Sequence, residues 1–90
     1  KQGYALAQKN LGEMYIRDSG VKKSDSEAAK WYLKAAEQNN VESQVKIGVM
    51  YYVGRGVEQN ETKAVFWLRK AAKQKNSTAI KVLKDMGVSP

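Results

Sequence analysis

A chain of 90 residues, with 42% apolar and 28% charged side chains, is long enough for one small domain and too evenly balanced for a disordered segment. It contains no Cys and no His, which removes disulfides, the thiol nucleophile, the usual general base and the commonest transition-metal ligands. Its net charge of +7 keeps three partners in view: nucleic acid, an anionic membrane surface and an acidic protein.

The single proline, Pro90, leaves the chain open to long helices. No apolar run approaches the roughly 20 residues of a membrane span, and no signal-peptide pattern is visible. Lys1 is not a natural start, so the sequence reads as a portion of a processed or longer chain.

The first predicted helix covers approximately 4–17. Ala7, Leu11, Met14 and Tyr15 recur at i, i+4, i+7 and i+8, which defines one face. Asp18 to Asp25 is turn chemistry, with Gly20 suited to positive φ. A second helix is expected over 25–38, opened by a capping box of Ser24 and Glu27. Its apolar face is Ala28, Trp31, Tyr32 and Ala35.

A third helix is expected over 41–53 behind Asn40, and a fourth over 61–75 behind Asn60. Lys63 stands where a capping box would place Glu, so the Asn60 cap is expected to be the weaker one. A fifth helix, 77–87, follows Asn76. No β-sheet is expected.

The elements repeat. Residues 1–36 align on 37–72 without a gap, a period of 36 (Gln2 to Gln38, 38 − 2 = 36). Twelve columns are identical: Gln2/Gln38, Gln8/Gln44, Gly12/Gly48, Met14/Met50, Tyr15/Tyr51, Gly20/Gly56, Val21/Val57, Ala28/Ala64, Trp31/Trp67, Lys34/Lys70, Ala35/Ala71 and Ala36/Ala72. Residues 73–90 continue the phase as a partial or capping unit. A period of this length marks a solenoid whose units bury one another. Gly12 and Gly48 fall mid-helix, where glycine costs about 1 kcal/mol against alanine, so another backbone is expected to approach closely there.

This pattern resembles the Sel-1-like repeat family, the longer-looped relative of tetratricopeptide repeats. The resemblance rests on Ala7-Gln8, Leu11-Gly12, Met14-Tyr15, Gly20-Val21, Ala28, Trp31-Tyr32 and Lys34-Ala35-Ala36, matched in the second unit by Gln44, Ile47-Gly48, Met50-Tyr51, Gly54-Arg55-Gly56-Val57, Ala64, Trp67 and Lys70-Ala71-Ala72. Two departures stand out: Asp18 sits where the second unit has Gly54, and Lys84 replaces the mid-helix glycine of the third.

The resemblance implies an all-α fold, a right-handed α/α superhelix of antiparallel helix pairs, over units 1–36, 37–72 and 73–90. It also implies an adaptor that assembles protein complexes, in bacteria often exported or envelope-associated. Some members carry spaced Cys pairs and are linked to β-lactam chemistry; with no Cys here, neither is carried over.

No catalytic constellation is expected. Glu58 and Glu61 sit at a loop–helix junction, and Gly54-Arg55-Gly56 lacks the P-loop spacing and follows a helix. No cofactor or metal is expected.

Binding is the better expectation. Opposite the predicted core lie Leu6, Lys9, Glu13, Ile16 and Arg17 in the first unit. The second offers Glu42, Val45, Val49, Tyr52 and Val53, and the third Thr78, Lys81 and Asp85. The concave binding face is assigned to Lys9, Glu13, Arg17, Val45, Val49, Tyr52, Val53, Lys81 and Asp85. Val45, Val49 and Val53 form a stripe that is either groove or core.

The function expected is a scaffold that receives a peptide or partner protein in this face. The alternative is an electrostatic binder of anionic polymers, nucleic acid or membrane surface. The cations follow the solenoid and do not gather in one aromatic-laced stripe, so nucleic acid is the less favoured partner. The first unit lacks a preceding helix over Ala5, Ala7 and Leu11, so upstream repeats or self-association through that end are expected.

Overall fold

The computed structural model describes residues 2–17 and 24–90, apart from the side chain of Gln2. Its regular elements are five helices: α1 (Gln2–Arg17), α2 (Asp25–Glu37), α3 (Val41–Val53), α4 (Glu61–Lys73) and α5 (Ser77–Asp85). Each packs on its neighbour in sequence, α1 on α2, α2 on α3, α3 on α4 and α4 on α5. That order is a solenoid of helix pairs. No helix among the described residues is long and apolar enough to cross a membrane.

The N-caps are as the sequence indicated, with one correction. Ser24 Oγ accepts from Glu27 N–H at 3.2 Å, and Asn60 Oδ1 accepts from Lys63 N–H at 3.0 Å. Asn40 and Asn76 cap α3 and α5 in the same way. The Ser24 N–H, which a full capping box would pair with Glu27, is instead given to the Tyr15 carbonyl, and Asn60 N–H to Tyr51 in the next unit. Lys63 therefore stands at a position where no acid is needed to satisfy the cap.

Helices α2 and α4 end in matching Schellman turns. Asn39 N–H bonds Ala36 O and Asn40 N–H bonds Ala35 O; Lys75 and Asn76 repeat this on Ala72 and Ala71. Asn39 and Lys75 accordingly take left-handed φ values of 70° and 64°. This is why α4 stops at Lys73, two residues before its expected end. Gly56, in the column of Gly20, has positive φ (75°), and a side chain there would run into the Asp25 carbonyl. Gly20 lies outside the described residues.

At both mid-helix glycines the nearest approach is by a side chain, joined at Gly48 by the expected backbone, the Ala64 carbonyl. A Cβ on Gly48 would lie 2.8 Å from Leu68 Cγ, and one on Gly12 would lie 3.1 Å from the Tyr32 ring. Tyr32 and Leu68 occupy the same column of the repeat, so one fit recurs in both units.

The identical glutamines are also explained. Gln38 Nε2 donates to Gln8 Oε1 at 2.7 Å, and Gln74 Nε2 donates to Gln44 Oε1 at 3.1 Å, tying the end of each second helix to the first helix of its pair. Gln44 also donates to Ala36 O, reaching back to the previous unit. Gln8 and Gln44 are buried, and these bonds offset their desolvation.

Among the described residues, two apolar clusters form the core. The first joins α2, α3 and α4 through residues such as Tyr32, Ile47, Met50 and Trp67. The second joins α4 and α5 through Leu68, Ala71, Ala79 and Leu83.

The expected inward face of α1 needs correction. Ala7 is exposed, Met14 is 37% exposed and Leu11 is half-buried, while Ala5, Gln8 and Gly12 point inward. The corresponding Ser43, Ile47 and Met50 of α3 are buried, and α2 contributes to the cluster that covers Ile47 and Met50. No described helix plays that part for α1. Trp31 is likewise only half-buried, with Lys30 and Lys34 over its ring, whereas Trp67 reaches the first cluster.

Three measurements follow. Gly48→Ala should lower stability by about 1–3 kcal/mol in urea unfolding, because overpacking against Leu68 outweighs the helix propensity gained. Ser43→Ala should raise it by about 1 kcal/mol, since the Ser43 hydroxyl is buried without a hydrogen-bond partner and Ala79 fills the same column. Burial pushes the Tyr32 phenol up to about 12. The unfolded chain then releases this proton first, so stability should be full below pH 10 and fall as pH rises from 10 towards 12. Alkaline unfolding followed by circular dichroism, with Tyr32→Phe as the reference, reads this loss.

Candidate functional site

A groove of about 480 Å³ runs along α1 and α3 and reaches the start of α5. Its apolar wall is Ile16, Val45, Val49, Met50 and Val53, and its polar rim includes Lys9, Glu13, Glu42, Lys46, Arg55, Asn76 and Thr78. Helical spacing places Val45, Val49 and Val53 one above another on α3, and the left-handed Gly54 cap ends that helix directly after Val53.

The rim charges are largely paired. Lys9 Nζ lies 2.8 Å from Glu42 Oε1 and 3.7 Å from Glu13 Oε2. The hydrogen bond to Glu42 holds the Lys9 ammonium above its ordinary range, and the same bond holds the Glu42 carboxyl below its own. Arg55 Nε lies 3.2 Å from Asp25 Oδ1, so the α3–α4 turn is tied to the start of α2. What remains open to a partner is an apolar strip, bordered by Lys46 and by the polar groups at the α5 start.

Of the residues assigned from sequence, Lys9, Glu13, Val45, Val49 and Val53 line this groove. Arg17, Tyr52, Lys81 and Asp85 do not. Tyr52 packs on the first core cluster, and Arg17, Lys81 and Asp85 are exposed elsewhere. The valine stripe is both groove and core: Val45 and Val49 are half-buried against the second cluster, and Val53 is 58% exposed.

Glu42, Ile16 and Thr78, on the side the sequence predicts but outside its assigned binding face, also line the groove. Lys46, Met50, Arg55 and Asn76 were not anticipated in the groove. The Lys9–Glu42 pair leaves a faint sequence signal, opposite charges a little under one period apart. Arg55 leaves none, because its direction is set by the left-handed turn on either side of it. Among the described residues, no group of three or more acidic, His or Cys side chains could hold a metal ion.

Fold and groove together define a helical-repeat solenoid with a lined concavity along α1 and α3. The Sel1 repeat pattern matches residues 5–40 and again 41–76, and the chain belongs to the Sel1 repeat family. It is 40% identical to a Sel1 repeat protein from Oxalobacter formigenes, with a TM-score of 0.89 over 91% of this chain and 24% of that one. It is 34% identical to c5321, a protective antigen of uropathogenic Escherichia coli strains with an SLR fold, with a TM-score of 0.90 over 98% of this chain and 20% of that one. Helicobacter pylori cysteine rich protein B is 31% identical, with a TM-score of 0.84 over 90% of this chain and 61% of that one. A putative sel1-like repeat-containing protein of Acanthamoeba polyphaga mimivirus, L18, is 50% identical over 40 residues, 44% of this chain and 7% of that protein. The chain thus spans a fifth to a quarter of the first two solved relatives and a small part of the viral one.

Because Val49 serves the core as well as the groove, Val49→Glu should destabilise by on the order of 2 kcal/mol. Val53→Glu should change stability by no more than about 0.5 kcal/mol. Thermal unfolding of the two variants checks this division of the stripe.

Proposed function

We propose that this domain is a non-catalytic docking module whose α1–α3 groove receives a peptide or surface segment of a partner protein. Proteins of the Sel1 repeat family act generally as protein–protein interaction scaffolds. The observation that supports the reading is an apolar strip within a rim most of whose charges are already held in ion pairs. Such a strip gains by covering apolar side chains. Phosphates would gain little from Lys9 or Arg55, whose charges are directed at Glu42, Glu13 and Asp25.

Peptides selected from a displayed random library test this. Those that occupy the groove should lose at least about tenfold in affinity with Val53→Glu, without loss of helicity. Their binding should change little with salt. A fall of about a thousandfold or more between about 50 and 200 mM salt would support the polyanion alternative. Peptides indifferent to Val53→Glu would remove the groove from consideration.

A further inference from the structure

A second concavity, about 680 Å³, lies between α4 and the segment that follows α5. Its apolar side is Val65, Met86, Val88 and Phe66, the last 52% exposed. Its rim carries Arg69, Lys70 and Lys73 against the single acid Glu61. Arg69 Nε donates to Ser89 O at 3.1 Å, and Lys70 Nζ sits over the Phe66 ring. None of the three cations has a carboxylate partner among the described residues.

The repeat shows what shape of object this seat accepts. One period earlier the corresponding residues are Ala29 and Leu33 of α2 with Met50 of α3, and the cluster they belong to includes Ala64 and Trp67 of α4. A helix lies over that seat. Among the substitutions along the helix, Lys30 becomes Phe66, Leu33 becomes Arg69 and Glu37 becomes Lys73. One end is made more apolar and the other more basic.

A helix of the repeat's own kind fits poorly. Its Tyr32- or Leu68-type side chain would need a glycine on α5, and that column holds Lys84. A second copy of this chain, at +7, would be repelled by the same rim.

We propose that this seat binds an acidic amphipathic helix of a partner protein. Its apolar stripe covers Phe66 and Met86, and its carboxylates meet Arg69 and Lys73. The site is separate from the α1–α3 groove, so the two readings stand or fall apart.

The test uses a fluorescein-labelled 15-residue peptide with Leu at helical i, i+3, i+4 and i+7 spacing and Glu on the flanks, read by anisotropy against the full chain. Phe66→Ala and Lys73→Glu should each weaken binding at least tenfold while helicity is kept, and Val53→Glu should leave it unchanged. A peptide with Lys for Glu should regain affinity for Lys73→Glu relative to the parent chain. Unchanged binding in both seat variants, equal binding of a Gln-for-Glu peptide, or self-association abolished by Phe66→Ala would each overturn the proposal. Displacement of the peptide by heparin that persists in Phe66→Ala would also overturn it, in favour of simple polyanion binding.

Discussion

The missing side chain at Gly48 sets the spacing on which the rest of the molecule depends. Leu68 descends into the space a Cβ would fill, as Tyr32 does above Gly12. The two helices of each pair are thereby drawn close, and the alanines of the KAA segments, Ala35 and Ala71, are fully buried beside them. With the pairs closed this tightly, the end of each second helix lies within reach of the glutamine on its first helix. The hydrogen bonds from Gln38 to Gln8 and from Gln74 to Gln44 then satisfy buried polar groups that would otherwise oppose burial. Packing and hydrogen bonding favour one geometry, which gives a partner a fixed surface to recognise.

Much of this was legible because the sequence states it twice. Period, helix order and caps follow from identical columns and from the Ser/Asn positions ahead of each apolar run. Inward-facing residues are less legible. Ala7, Leu11 and Met14 follow the same pattern as Ser43, Ile47 and Met50, yet the first set is partly or largely exposed and the second buried. Periodicity reports which face a residue occupies. Burial in a solenoid depends in addition on whether a neighbouring unit covers that face. The glutamine columns were visible as identities, but no local rule says that two residues 30 apart will share a hydrogen bond.

The groove shows the same limit. Lys9, Glu13 and the valines share the side predicted for them, because helical spacing on one element is a local property. Tyr52 and Arg17 depart from it, and Arg55 enters it, for reasons set by how units meet and by the left-handed turn at Gly54 and Gly56. The stripe posed as groove or core was a false choice. A valine ridge on the central helix of a thin solenoid packs inward along one edge and faces solvent along the other. That dual service ties the proposed binding to stability at Val49 and separates the two at Val53.

The claim that the Gly48–Leu68 contact sets the pair spacing is tested most directly by a double-mutant cycle. Gly48→Ala and Leu68→Ala would be made singly and together, and their unfolding free energies measured in urea. The account predicts a favourable coupling of at least about 1 kcal/mol, with the double variant more stable than the sum of the single losses requires. Additive losses would mean that the two residues act independently and that the close approach does not govern the fold.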